Sequence, residues 1–239
     1  MNLRELAGTA VGWLWAPPIA AVAALKRARF FHPEGVCYAA EVRALSEEPL
    51  AQAMNGGALV RLSTALWRDG REWPDVLGCA IRFRWKPSDA EQPAPGAQDL
   101  LFATARSPLS VWFAPLTTDT HDFLGNDYFA VSPFDAPGLG RVKWRLRPQY
   151  GSPNEGRRMQ RLVRAVAQRR AIFVLDCSQG VREAWRPFAR VVLGEEVALD
   201  QATLRFSPFR SGLGNVPRGL VHALRHGAYA ASQAARPAR

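Results

Sequence analysis

Near the C-terminus, Arg225, Tyr229 and Arg236 are spaced to share one face of an α-helix, the arginines falling four residues before and seven after the tyrosine. A phenol ordinarily titrates near pH 10, and flanking guanidinium groups stabilise its anion. Tyrosinate is one of the few protein ligands that hold haem iron. The same spacing also fits a basic helix with one buried tyrosine, because the tail is rich in Arg and Ala. Far upstream, Arg29-Phe-Phe-His32-Pro-Glu-Gly35 places an imidazole ahead of a turn. An ordinary imidazole titrates near pH 6.5, so His32 could take a proton and return it, or it could be an ordinary loop residue. His121, in Thr120-His121-Asp122, could be a base paired with a carboxylate, although its surroundings read as an exposed loop. His222 shares the Tyr229 face and reads as peripheral.

The elements that would position these residues are mostly strands. Residues 36–45, 58–67, 77–85 and 99–105 are β-branched and aromatic with partial alternation. Residues 128–131, 141–147, 171–177, 188–193 and 202–206 add further strand candidates. The segment 86–98, with Pro87, Pro93, Pro95 and Gly96, reads as a loop. Residues 153–170 read as a helix with Met159, Leu162, Val163 and Val166 on one face. A second helix spans about 219–235. Strands in this number with helical insertions predict an α+β fold built on a closed antiparallel barrel, with flanking helices and a C-terminal helix carrying Tyr229.

The chain has 239 residues, 48% hydrophobic and 22% charged, which indicates a globular protein with a sizeable core. The net charge of +10 comes from arginine, since lysine occurs only at Lys26, Lys86 and Lys143. Such charge could attract nucleic acid or an anionic membrane, yet no zinc-finger or RNA-recognition signature accompanies it, so no nucleic-acid partner is expected. Arginine also suits the carboxylates of a buried cofactor. Cys37, Cys79 and Cys177 are too scattered for a disulfide framework or a CxxC metal site, which suits a cytoplasmic location. Residues 7–25 carry no charge and are divided by Pro17-Pro18. They read as an apolar arm within residues 1–28, with membrane-surface association as a second use; residues 29–239 then form a single domain.

With the strands laid out, the chain resembles haem catalases, especially the short catalase-related peroxidases. Five segments carry the resemblance in family order. Arg29-Phe-Phe-His32-Pro-Glu-Gly35 resembles the segment holding the distal histidine. Val60-Arg61-Leu62-Ser63-Thr64 resembles the strand that follows. Asp75-Val-Leu-Gly78-Cys-Ala80-Ile-Arg-Phe83 and Asp99-Leu100-Leu101 resemble the next two. Leu204-x-Phe206-x-Pro208 precedes the helix with Arg225, Tyr229 and Arg236. Between Trp112 and Glu196 only the order of elements corresponds.

The resemblance implies a catalase-like eight-stranded antiparallel barrel binding haem b. It implies Tyr229 as the iron ligand, made anionic by Arg225, and His32 as the distal acid–base. Ser63 would fix the histidine tautomer, while Arg29, Arg61 and Arg236 would pair with haem propionates or neighbouring polar groups. The pattern also implies an asparagine three residues after Asp99-Leu-Leu, where Thr104 stands, so Thr104 becomes a subsidiary polar group. Hydrogen peroxide dismutation is then expected to be weak. Phe102, Trp112 and Phe113 would give the site apolar access. The expected activity is a haem peroxidase using organic hydroperoxides or hydrogen peroxide with an organic donor, in a homo-oligomer. Two alternatives accompany it: a fatty-acid hydroperoxide isomerase or dehydratase of the allene oxide synthase kind, and a non-enzymatic haem-binding or sensing protein.

Overall fold

The computed structural model describes residues 35–67, 70–107, 110, 113–130, 132–180 and 184–218. The apolar arm, His32, Arg29, Trp112, His222 and the terminal helix with Arg225, Tyr229 and Arg236 lie outside the described residues.

Four long strands come first: β1 (Gly35–Ala44), β2 (Gly56–Thr64), β3 (Leu77–Phe83) and β4 (Gln98–Ala103). They continue into β5 (Tyr128–Phe129), β6 (Phe134–Ala136), β7 (Gly140–Pro148), β8 (Ile172–Ser178), β9 (Arg186–Glu196) and β10 (Val216–Pro217). Each strand from β1 to β4 pairs antiparallel with the next, β5 bridges β4 to β7, and β7, β8 and β9 lead back to β1. The result is a closed eight-stranded antiparallel β-barrel, with β6 and β10 as a short extension beside β7. Closure removes exposed strand edges and makes an interior that side chains can fill.

Strand alternation decides what fills it. Tyr38, Ala40 and Val42 of β1, Val60 and Leu62 of β2, Cys79, Ile81 and Phe83 of β3, and Leu100 and Phe102 of β4 all point inward. They meet Tyr128, Trp144, Leu146, Phe173, Phe188 and Val191 from the far wall. Trp144 and Phe188 pack edge to face with ring centroids 4.9 Å apart. Helix α1 (Pro49–Ala53) closes one end with Leu50 and Ala51, and α3 (Arg158–Ala167) closes the other with Leu162 and Ala165. A short helix, α2 (Ala114–Thr117), follows β4.

Three sequence expectations need correction. Residues 202–206 do not form a strand. Their backbone turns on itself, Thr203 and Leu204 both donating to the Asp200 carbonyl, and Leu204 and Phe206 lie against the outside of the barrel without joining it. The expected helix at 153–170 begins only at Arg158, because Gly156 adopts φ of +89° and Arg157 is extended. Its buried stripe is Arg158, Leu162 and Ala165, while Met159 and Val163 are exposed. Phe102 is a barrel-core residue and cannot line an outside pocket. Among the described residues no helix is long and apolar enough to cross a membrane.

The turn from β3 passes very close to β2. A Cβ at Gly57 would fall 2.4 Å from the Trp85 carbonyl oxygen, whose own N–H donates to the Gly57 carbonyl at 3.0 Å. Gly57→Ala is therefore expected to cost about 1–3 kcal/mol through overpacking. Gly151→Ala, where a Cβ meets nothing within 4 Å, should be neutral or slightly stabilising. Urea unfolding midpoints of the two variants check this.

Candidate functional site

Because β1 to β4 are in register, their outward residues form a grid. One row across the four strands is Gly35, Ser63, Gly78 and Ala103; the next is Cys37, Arg61, Ala80 and Leu101; the third is Ala39, Leu59, Arg82 and Asp99. At the usual strand spacing the face is roughly 14 Å across. Nearly every residue of β2 and β3 is buried, on outward as well as inward positions. Strands buried on both faces must be covered from outside.

Part of that cover is the segment after β9. Leu204 and Phe206 pack on Cys37, Leu59 and Trp85. The third row then anchors the segment electrostatically. Asp99 accepts from Arg82 Nε at 3.1 Å, from Ser207 N at 2.8 Å, and from the Arg210 guanidinium. Arg82 also donates to the Glu91 carbonyl at 3.0 Å and to the Arg205 carbonyl, and its guanidinium lies over the Phe206 ring. Burial pushes the Asp99 carboxyl up from its ordinary range, and Arg82 and Arg210 oppose that shift. Burial likewise lowers Arg210, with Asp99 opposing.

Arg61 and Ser63 occupy the two remaining rows, and each is only 4% exposed. Arg61 Nε donates to Gln201 Oε1 at 2.9 Å, and Gln201 Nε2 lies 3.4 Å from Cys37 Sγ. The guanidinium continues along the strand direction and rests on Gly35, where a Cβ would stand 2.5 Å from Arg61 Cζ. Glycine is therefore required at 35 for Arg61 to lie flat on the face. Ser63 Oγ donates to the Gly78 carbonyl at 3.4 Å. Around these two side chains the face is made of the small residues Gly35, Gly78, Ala80 and Ala103, a low shelf on the outside of the barrel.

Of the expected site residues, the structure thus brings Arg61 and Ser63 together and keeps Thr104 apart from them. Thr104 follows β4 opposite Leu77, whose side chain points inward. Its hydroxyl accepts from Leu77 N at 3.2 Å and bonds Thr118 Oγ1 at 2.7 Å, tying α2 to the end of the barrel. The shelf position is Ala103. Phe113, expected to wall a pocket, is 65% exposed. His121 pairs with a carboxylate, but the partner is Glu72 rather than Asp122: Nδ1 lies 2.7 Å from Glu72 Oε2. Asp122 instead caps the turn at Leu124 and accepts from Ser152. Gln201 and Arg210 were not anticipated, and neither stands in a recognisable motif. All three cysteines are buried and none is in a disulfide, with the Cys79 thiol raised far above its ordinary range by burial.

Among the described residues no group of three or more His, Cys, Asp or Glu side chains is placed to hold a metal ion. The chain matches no protein-family model, and no curated protein matches it either.

Two outcomes follow from these contacts. Asp99→Ala leaves the buried Arg82 guanidinium and the partly buried Arg210 without their carboxylate and should cost about 3–5 kcal/mol in urea unfolding. Glu72 is partly desolvated, which raises its pKa, yet hydrogen bonds from Arg158 N–H and His121 hold it below the ordinary 4.5. A depressed carboxyl contributes stability that is present above the unfolded pKa and lost as pH falls through the folded one. Glu72→Gln should accordingly flatten the decline in stability below pH 4.5, measured as urea midpoints along a pH series.

Proposed function

We propose that the chain is a catalase-like haem b protein that reduces organic hydroperoxides, with the haem lying against the shelf formed by β1 to β4. The observation that carries this reading is the shelf itself: buried Arg61 and Ser63 facing outward among Gly35, Gly78, Ala80 and Ala103. Small residues suit a planar macrocycle. A guanidinium fixed flat beside them suits a propionate, whose two oxygens match its paired N–H groups. These small residues and the buried guanidinium support the haem reading, and the residues proposed for the other side, Tyr229 with Arg225, come from the sequence resemblance.

When bound, the haem supplies the redox centre for cleavage of the O–O bond. The chain supplies the rest. The Tyr229 phenolate holds the iron, and Arg225 keeps that phenol ionised. Arg61, with Arg29 and Arg236, neutralises the carboxylate edge and fixes the orientation of the macrocycle. His32 takes the proton from one peroxide oxygen and delivers it to the other, which becomes the leaving group. Ser63 holds the imidazole in the tautomer that can do so. Thr104, where the family pattern places an amide, is engaged with Leu77 N and Thr118, and the position beside Gly78 in the Ser63 row is the apolar Ala103. A second peroxide molecule is then poorly oriented for oxidation, so reduction of one peroxide by an organic donor is favoured over dismutation. Isomerisation or dehydration of a fatty-acid hydroperoxide needs the same residues and no external donor.

A non-enzymatic haem-binding or sensing role is the second reading, and the apolar Ala103 position favours it. Protein produced with ample haem should show a Soret band that Tyr229→Phe abolishes. His32→Ala should keep the band and slow reaction with an organic hydroperoxide by about 100-fold or more. Equal, slow reaction of wild type and His32→Ala selects the sensing reading, and wild type without a Soret band removes both.

A further inference from the structure

The end of the barrel closed by α3 joins three elements through one set of hydrogen bonds. Glu72, in the β2–β3 connection, accepts from the Arg158 N–H at the start of α3. The Arg158 guanidinium donates to the carbonyls of Thr120 and Arg71, and Thr120 Oγ1 donates to the Glu72 carbonyl at 2.8 Å. Each element exposes large apolar side chains at this end: Leu66 and Trp73, then Phe113 and Leu116, then Met159 and Val163. Leu116 is the most exposed, at 78%. Trp73 is braced by Trp67, ring centroids 5.1 Å apart, with the Arg71 guanidinium 4.7 Å from its ring.

Arginines occur on two of the same elements. Arg71 flanks Trp73, and Arg157, Arg161, Arg164, Arg169 and Arg170 lie along or beside α3. Of the carboxylates at this end, Glu72 is engaged by His121 and Arg158, Asp119 by the His121 N–H and Glu155 by Arg164 at 3.7 Å, while Glu195 and Glu196 at the end of β9 are exposed. At the opposite end, the connections around α1 and after β3 mix signs, with Glu47, Glu48, Asp89 and Glu91 beside Arg84 and Lys86.

We propose that the α3 end of the barrel docks on an anionic lipid bilayer. Apolar side chains on three separate elements, with the Arg71 guanidinium against Trp73 and further arginines along α3, match a lipid interface. There the apolar tips enter the acyl boundary while the arginines reach the phosphates. A protein partner would instead favour a contiguous core depleted of charge. The docking surface does not depend on haem binding, although the Gly35–Ser63–Gly78–Ala103 row lies toward the same end of the strands and so would face the bilayer side.

The test uses the full chain and vesicles of phosphatidylcholine with and without phosphatidylglycerol. Sedimentation should show binding only with phosphatidylglycerol, weakened by salt. Phe113→Ser/Leu116→Ser should lower partitioning about tenfold or more through lost apolar insertion. Because Cys37, Cys79 and Cys177 are buried, an environment-sensitive fluorophore on Leu116→Cys reports that position alone, and its emission should rise with the anionic vesicles. The proposal is overturned by absence of vesicle binding, or by binding that the double variant leaves unchanged. A Leu116→Cys signal that responds to protein concentration or to added DNA instead of vesicles also overturns it.

Discussion

Asp99 is fully buried on the outside of β4 and is met there by two arginines and a backbone N–H. A carboxylate and a guanidinium withdrawn from water stabilise a structure only when their hydrogen bonds are nearly complete, and here they are. Arg82 extends the network to the Glu91 and Arg205 carbonyls, so one charge cluster fixes the β3–β4 connection and the segment after β9 together. That segment carries Leu204 and Phe206 onto the barrel and brings Gln201 to Arg61. The position of the Arg61 guanidinium is thus set from two sides: by Gln201, which depends on the network, and by Gly35, which leaves it room.

The network also explains why the barrel has a polar but water-excluded outer face. β2 and β3 are buried on both sides, a pattern that ordinarily belongs to sheets covered by helices. Here part of the cover is an irregular segment. Irregular backbone cannot satisfy its carbonyls by a ladder, and the arginines of the network do so instead: the Arg205 carbonyl accepts from both Arg82 and Arg210. The segment 202–206 has the composition of a strand and the position of a lid for this reason. Strand propensity reports a fit to a pleated, half-buried surface, and Leu204 and Phe206 meet such a surface without pairing with it.

Most of the barrel was legible in the sequence. Alternation in β1 to β4 and in β7 to β9 is driven by the side chains that fill the interior, and that pattern is local. What was not legible depends on contacts between distant positions. Arg82 and Asp99 are 17 residues apart, Arg210 and Asp99 are 111 apart, and His121 finds Glu72 across 49 residues. The start of α3 at Arg158 was likewise hidden, because the burial of Arg158 depends on the Thr120 and Arg71 carbonyls rather than on helical periodicity. Arg61 and Ser63 were legible as a pair because two residues along a strand always share a face.

That same period of two separates Ala103 from Thr104. A shift of one residue moves a side chain from one face of a strand to the other, and the β3–β4 register is fixed by Cys79 opposite Phe102 and Gly78 opposite Ala103. Thr104 cannot be exchanged into the Ala103 position without turning Phe102 and Leu100 out of the core. The row beside Ser63 is therefore apolar apart from that one hydroxyl. On the proposed reading, proton handling above the shelf falls to His32 with Ser63 behind it, and the missing amide removes orientation of a second peroxide without removing cleavage of the first. The strand register that forms the core is in this way also what limits the chemistry the face can support.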